Sequence, residues 1–134
     1  MALTWQKSLE TGIDWQDTQH KGLFASIDKL LKAMLDNRGK EELTNLIKFL
    51  DRYVVEHFGA EDQTMTRLNY SEKVSHMAEH RVFKEKIATI KKEVEKGVNP
   101  ATVIALQQQS TRWLINHIGS VDKKLGEFIK SKAA

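Results

Sequence analysis

The sequence predicts an all-α protein, an up-down-up-down antiparallel four-helix bundle with an N-terminal arm. Three observations carry that prediction. Apolar residues recur at spacings of three and four along most of the 134 residues, the chain holds one proline and seven glycines, and the breaks between apolar stripes are short. Short breaks between long helices make sequential rods run antiparallel.

The first helix is expected over residues 17–36, with Leu23, Phe24, Ile27, Leu30, Leu31 and Met34 as its apolar stripe. Residues 1–16 read as an arm anchored on the bundle by Trp5, Leu9, Ile13 and Trp15. Asn37, Arg38, Gly39 and Lys40 form a turn into a second helix over 41–67, striped by Leu43, Leu46, Ile47, Leu50, Val54, Phe58 and Met65, with Leu68 just beyond. Asn69, Tyr70 and Ser71 break it. Ser71 is placed to cap a third helix over 72–95, whose stripe is Val74, Phe83, Ile87, Ile90 and Val94. Gly97, Val98, Asn99 and Pro100 end that helix, and the proline opens the fourth. The fourth, over 101–131, carries Val103, Leu106, Trp113, Leu114, Ile118, Val121, Leu125, Phe128 and Ile129. With no repeat, linker or low-complexity tract, 1–134 is expected to be one domain, arm 1–16 and bundle 17–131.

Composition removes several functions. The absence of cysteine excludes a disulfide scaffold, an iron–sulfur protein, a thiolate zinc site and a cysteine nucleophile. Lys+Arg 21 against Asp+Glu 18 is a mixed surface, and the pairs Lys91–Lys92 and Lys123–Lys124 are too short for a nucleic-acid footprint. The first residues show no charged leader before an apolar run, and no stretch approaches the roughly 18 apolar residues of a membrane span. A cytoplasmic protein, ending a few residues after its last helix without an output domain, is the expectation.

The five histidines all fall on apolar stripes. His20 leads Leu23, Phe24 and Ile27. His57 follows Leu50 and Val54, with Glu61 one turn further on. His76 and His80 are an i, i+4 pair running into Phe83 and Ile87, and His117 follows Trp113. A single inward histidine is ordinary, satisfied by one hydrogen bond. Five of them with carboxylates would cost several kcal/mol each if unpartnered, and a metal centre is the natural compensation. Asp122 lies five residues after His117, off its direction on a regular helix, so a π-turn near Gly119 is predicted to swing it inward. If two six-coordinate ions are held by five imidazoles, two bridging carboxylates and one bridging oxygen from solvent, one coordination position is left for a small ligand. A nitrogen-rich donor set suits iron better than calcium or magnesium.

These residues resemble the bacterial hemerythrins, a family of non-haem di-iron oxygen-binding proteins, over nearly the whole length. The resemblance is carried by Gly12-Ile13, by Asp17 with Gln19-His20, and by His57-Phe58 with Glu61, Met65 and Tyr70. It continues through His76, His80 and Phe83 to Trp113, His117-Ile118 and Asp122. The family usually has a second glutamate after the ligand glutamate; here that residue is Asp62, which is not assigned to the metal. The resemblance implies two iron ions with an oxo or hydroxo bridge. His76, His80 and His117 would hold one, His20 and His57 the other, and Glu61 and Asp122 would bridge them. It implies reversible dioxygen binding for storage, transport or delivery, with an oxygen-consuming client protein as a partner and no catalytic residue. Phe24, Phe58, Trp113, Leu114 and Ile118 flank the ligands and are the candidate walls of an oxygen pocket, or ordinary core.

Other readings are weaker. His76-Met77-Ala78-Glu79-His80 spells an inverted zinc-protease motif, but that leaves three histidines without a role. Ferritin-like oxidases need Glu-x-x-His motifs, which the chain lacks. Oxygen or redox sensing through a partner protein, and weak di-iron peroxidase or oxidase activity, stay open as alternatives.

Overall fold

A computed structural model describes residues 5–36, 40–97 and 100–133, with the side chains of residues 40, 100, 102, 103, 106 and 133 left out. The expected turn residues Asn37, Arg38, Gly39, Val98 and Asn99, and the stripe positions Val103 and Leu106, therefore lie outside the described residues. Four rods form the bundle. They are α1 (Asp14–Leu35), α2 (Lys40–Arg67), α3 (Lys73–Lys96), and a last rod in which α4 (Pro100–Asn116) continues through a π-helical segment (His117–Asp122) into α5 (Lys123–Ala133). Consecutive rods pack on each other, and α1 also packs on α4, closing the ring. No helix among the described residues is long and apolar enough to cross a membrane.

The apolar stripes meet as one core in which Leu23, Ile27, Leu30, Ile47, Leu50, Phe58, Phe83, Ile87, Leu114 and Ile118 are buried, with Trp5 packed against its edge. A smaller cluster of Met65, Tyr70 and Leu125 sits at the other end, beyond the histidines. The arm is a single 3₁₀ turn, Lys7–Leu9, that tucks Leu9 into the main core.

The helix ends differ from expectation in three places, each for a physical reason. First, α1 starts at Asp14 rather than Asp17. Asp17 instead clamps the entry loop, accepting from Thr11 N at 2.8 Å, Thr11 Oγ1 at 3.0 Å and Gly12 N at 3.1 Å. Gly12 sits at φ +84°, where a side chain would be strained, so the chain turns there and helix begins at once. Second, Ser71 caps nothing. The N-cap of α3 is Glu72, which makes no capping bond, because its carboxylate is held by Lys124 at 2.7 Å. Third, Val74 is 76% exposed and is not part of the stripe. The inward face of α3 runs through His76, His80 and Phe83, and a residue two positions earlier points about 160° away. Asn69 at φ +58° ends α2 and Gly97 at φ +71° ends α3, both in the left-handed region.

The predicted π-turn is present, over His117–Asp122, and it delivers Asp122 to the interior with no exposed surface. A π-turn is one residue longer than its α counterpart, so it realigns the downstream helix: Leu125 is buried on the same side as Leu114 and Ile118. Deletion of exposed Ser120 should convert this segment to regular helix while keeping the faces on both sides aligned. Its melting temperature is expected to stay within a few degrees of the parent, by circular dichroism. Deletion of exposed Arg52 from the middle of α2, which rotates everything downstream by about 100°, should abolish the cooperative transition.

Candidate metal centre

Each rod aims at least one histidine at the same interior point. His20 comes from α1, His57 and Glu61 from α2, His76 and His80 from α3, and His117 and Asp122 from the π-helical segment; all seven are at most 2% exposed. Their donor atoms fall into two groups, each compact enough for one ion. One is Glu61, His76, His80, His117 and Asp122; the other is His20, His57, Glu61 and Asp122. The two carboxylates belong to both.

Individual oxygens show how they are shared. Glu61 Oε1 lies 3.0 Å from His80 Nε2 and 3.4 Å from His76 Nε2, while Oε2 lies 3.3 Å from His57 Nε2 and 3.4 Å from His20 Nε2. Asp122 Oδ1 is 3.0 Å from His76 Nε2 and 3.2 Å from His117 Nε2, and Oδ2 is 3.0 Å from His20 Nε2. Neighbouring donors about 2.1 Å from one octahedral ion lie about 3 Å apart, which is this spacing.

These short distances are not hydrogen bonds. All five Nε2 atoms, Glu61 Oε1 and both Asp122 oxygens are buried without a hydrogen-bond partner. Atoms that approach to 3 Å and yet do not point at one another are pointing at something between them. Leaving eight such atoms unmet would cost about 1–3 kcal/mol each, against a domain stability of about 5–15 kcal/mol. Neutral imidazoles and carboxylates are donors that a transition-metal ion accepts, so the residues fit such ions.

The far nitrogens support the same reading. His57 Nδ1 is 2.7 Å from Gln19 Oε1, His80 Nδ1 is 3.0 Å from Asp62 Oδ1, and His117 Nδ1 is 2.9 Å from Glu79 Oε1. Each acceptor holds the proton on Nδ1 and leaves the Nε2 lone pair facing inward. Tyr53 Oη donates to the Gln19 carbonyl at 2.8 Å, and Gly22 leaves room for that phenol. Sequence reasoning did not assign Gln19, Asp62, Glu79 or Gln16 to the site. Gln16 had a signal, a polar residue one turn before His20 on the apolar stripe. Gln19, Asp62 and Glu79 stood in motifs already noted, but nothing in the sequence paired them with histidines on other helices.

Two of the candidate pocket residues stack on histidines. Phe58 is stacked on His80 at 3.9 Å and 6°, and Trp113 on His117 at 4.8 Å and 11°. Phe24, Leu114 and Ile118 are buried in the same core, and Trp5 covers Phe24 edge-on at 5.3 Å.

A helical bundle whose four rods together supply donors to two adjoining cation positions is built to bind metal. A family model, the Hemerythrin HHE cation binding domain, matches residues 11–129. A bacteriohemerythrin of Methylococcus capsulatus is 31% identical over 129 residues, covering 92% of this chain and 94% of that protein. A hemerythrin-like protein of Naegleria gruberi is 32% identical over 120 residues, covering 90% and 87%. A crystal structure of wild-type hemerythrin matches with a TM-score of 0.83 at 29% identity, covering 95% of this chain and 97% of that one. The chain belongs to the hemerythrin family, and its cluster fits a di-iron site.

Burial pushes the imidazoles of His20 and His76 down, but the carboxylates of Asp122 and Glu61 outweigh it and raise both from 6.5 to about 9. Burial pushes Glu61 up, yet the surrounding histidines hold it well below 4.5, and Asp122 is likewise lowered. The raised histidines stabilise the metal-free fold fully below pH 6.5, and that contribution is lost as the pH rises toward 9. The depressed carboxylates stabilise it above about pH 4.5, and that is lost on acidification. The melting temperature of the metal-free chain should therefore peak between pH 4.5 and 6.5 and fall steadily to pH 9, by calorimetry.

Proposed function

We propose that this chain binds dioxygen reversibly at a non-haem di-iron centre and serves oxygen storage, transport or delivery. Membership of the hemerythrin family supports a di-iron oxygen-binding protein. One observation carries the rest: two donor groups, of five and four residues, that share Glu61 and Asp122. In this reading His76, His80 and His117 would hold one iron and His20 and His57 the other, with Glu61 and Asp122 available to both. The His20–His57 group offers one protein donor fewer than the other, which would leave room there for a small ligand. When bound, the iron pair supplies two electrons that dioxygen takes up and returns.

The protein's own part is to orient and to exclude water. Gln19, Asp62 and Glu79 keep three imidazoles in the ligating tautomer. Phe24, Phe58, Trp113, Leu114 and Ile118 wall the site with apolar surface, which withholds protons and solvent from whatever is bound. We read residues 1–134 as a single hemerythrin-like domain acting in the cytoplasm as a carrier rather than an enzyme. An oxygen-consuming protein is its client.

The test is to reduce the iron-loaded protein anaerobically, admit oxygen, and repeat deoxygenation while following the visible spectrum. The same band is expected to appear and vanish with undiminished amplitude; steady oxygen consumption with released product would overturn the carrier reading in favour of catalysis. Glu61→Ala removes a donor from both groups and is expected to lose bound iron on gel filtration. Val74→Ala, on the exposed face, is expected to keep it, with iron per chain as the measurement.

A further inference from the structure

Two glutamines are buried among the described residues, Gln16 and Gln107, and their surroundings differ. Gln107 bonds the carbonyl of Ile27 at 2.8 Å, inside the apolar half of the bundle. Gln16 stands in the first turn of α1, one turn before His20, and so on the face that carries that histidine. Its amide nitrogen donates to Glu61 Oε2 at 2.8 Å. The opposite orientation would set a carbonyl against a carboxylate, so this is the one the electrostatics allow.

The arrangement is costly. Gln16 has no exposed surface, and its Oε1 is buried without a partner. Leucine or methionine would fill the same position without stranding a carbonyl. The entry loop is built tightly over it. A Cβ on Gly126 would meet Thr11 Cβ at 3.0 Å, the Thr11 carbonyl at 3.2 Å and Gln16 Oε1 at 3.6 Å, so α5 presses directly on this turn. Asp17 clamps Thr11 and Gly12 just before it. What the position gains is the N–H on Glu61, and on one oxygen only. Oε2 is the oxygen that faces His20 and His57, whereas Oε1 faces His76 and His80.

We propose that Gln16 is a positioning residue of the metal centre, whose amide holds Glu61 Oε2 and draws charge from it on the His20–His57 side. The inference rests on the function proposed above. A carboxylate oxygen that accepts a hydrogen bond is a weaker donor to a cation, and a weaker anionic donor favours the ferrous over the ferric state. Because the amide is neutral, it exerts this effect at every pH. Gln16 touches no ion; it acts through Glu61, and on the position with fewer protein donors.

The experiment compares the iron-loaded parent with Gln16→Met and Gln16→Leu, which remove the donor with two different shapes, and with Gln107→Met as a control for losing a buried amide. Iron per chain, melting temperature and a mediated redox titration are measured for each. Both Gln16 variants are expected to fold and hold the parent's iron. Their ferrous-to-ferric ratio at the parent's midpoint should be lower by about tenfold. The control changes stability without moving the ratio. Equal midpoints in the parent and both Gln16 variants would overturn the proposal. Should neither variant fold, the unsubstituted chain loaded with diamagnetic zinc decides by nuclear magnetic resonance. A downfield Gln16 side-chain N–H that resists solvent exchange supports the bond, and a freely exchanging one overturns it. A parent that retains neither iron nor zinc would instead bring down the function beneath, and this inference with it.

Discussion

Seven ionisable side chains are closed off from water at one point in this bundle, and the rest of the structure answers to that burial. Apart from the Gln16 amide on Glu61 Oε2 and the acceptors behind three of the rings, five imidazoles and two carboxylates face one another, and their lone pairs meet at two shared positions rather than in pairs. The five Nε2 atoms, Glu61 Oε1 and both Asp122 oxygens converge on the middle without a hydrogen-bond partner. A cation at each position removes the conflict. No single rod could supply the donors, so the four-rod closure and the site require one another.

Around the donors lies a graded shell. Asp62 is 23% exposed at its side chain and Glu79 is 41%, so the carboxylates behind His80 and His117 are partly solvated. Behind His57 the acceptor is neutral, the side-chain amide of Gln19, whose backbone carbonyl accepts from Tyr53 Oη. His20 and His76 have no partner on Nδ1. The support is therefore unequal, with two carboxylates behind the three-histidine group and an amide behind the two-histidine group. Stacked rings complete the shell, Phe58 on His80 and Trp113 on His117, fixing imidazole planes by contact where hydrogen bonds alone would let them tilt.

The last rod shows how backbone geometry yields to this constraint. His117 and Asp122 must both face inward although they are five residues apart, and an α-helix cannot do that. The π-helical segment spends one extra residue, leaving Gly119 and Ser120 exposed on the outside, and hands the chain back to α5 in register.

The sequence by itself determined the number of rods, most of their limits, the apolar stripes and six of the seven inward side chains, because each is a periodicity within one helix and needs no knowledge of its neighbours. The seventh, Asp122, breaks the periodicity. Even the π-segment was legible, as a mismatch between a spacing of five and a turn of 3.6. Local signals were less decisive at helix ends. Asp17 and Ser71 both have the chemistry of a cap, and which group a short polar side chain serves depends on where loops and lysines from elsewhere arrive. Only the tertiary structure decided that Glu72 would be taken by Lys124, that Val74 would face solvent, and that Gln16, Gln19, Asp62 and Glu79 would close on ligands carried by other helices. Those choices join residues 18 to 52 positions apart, a distance over which a sequence pattern carries no register and only packing brings side chains together.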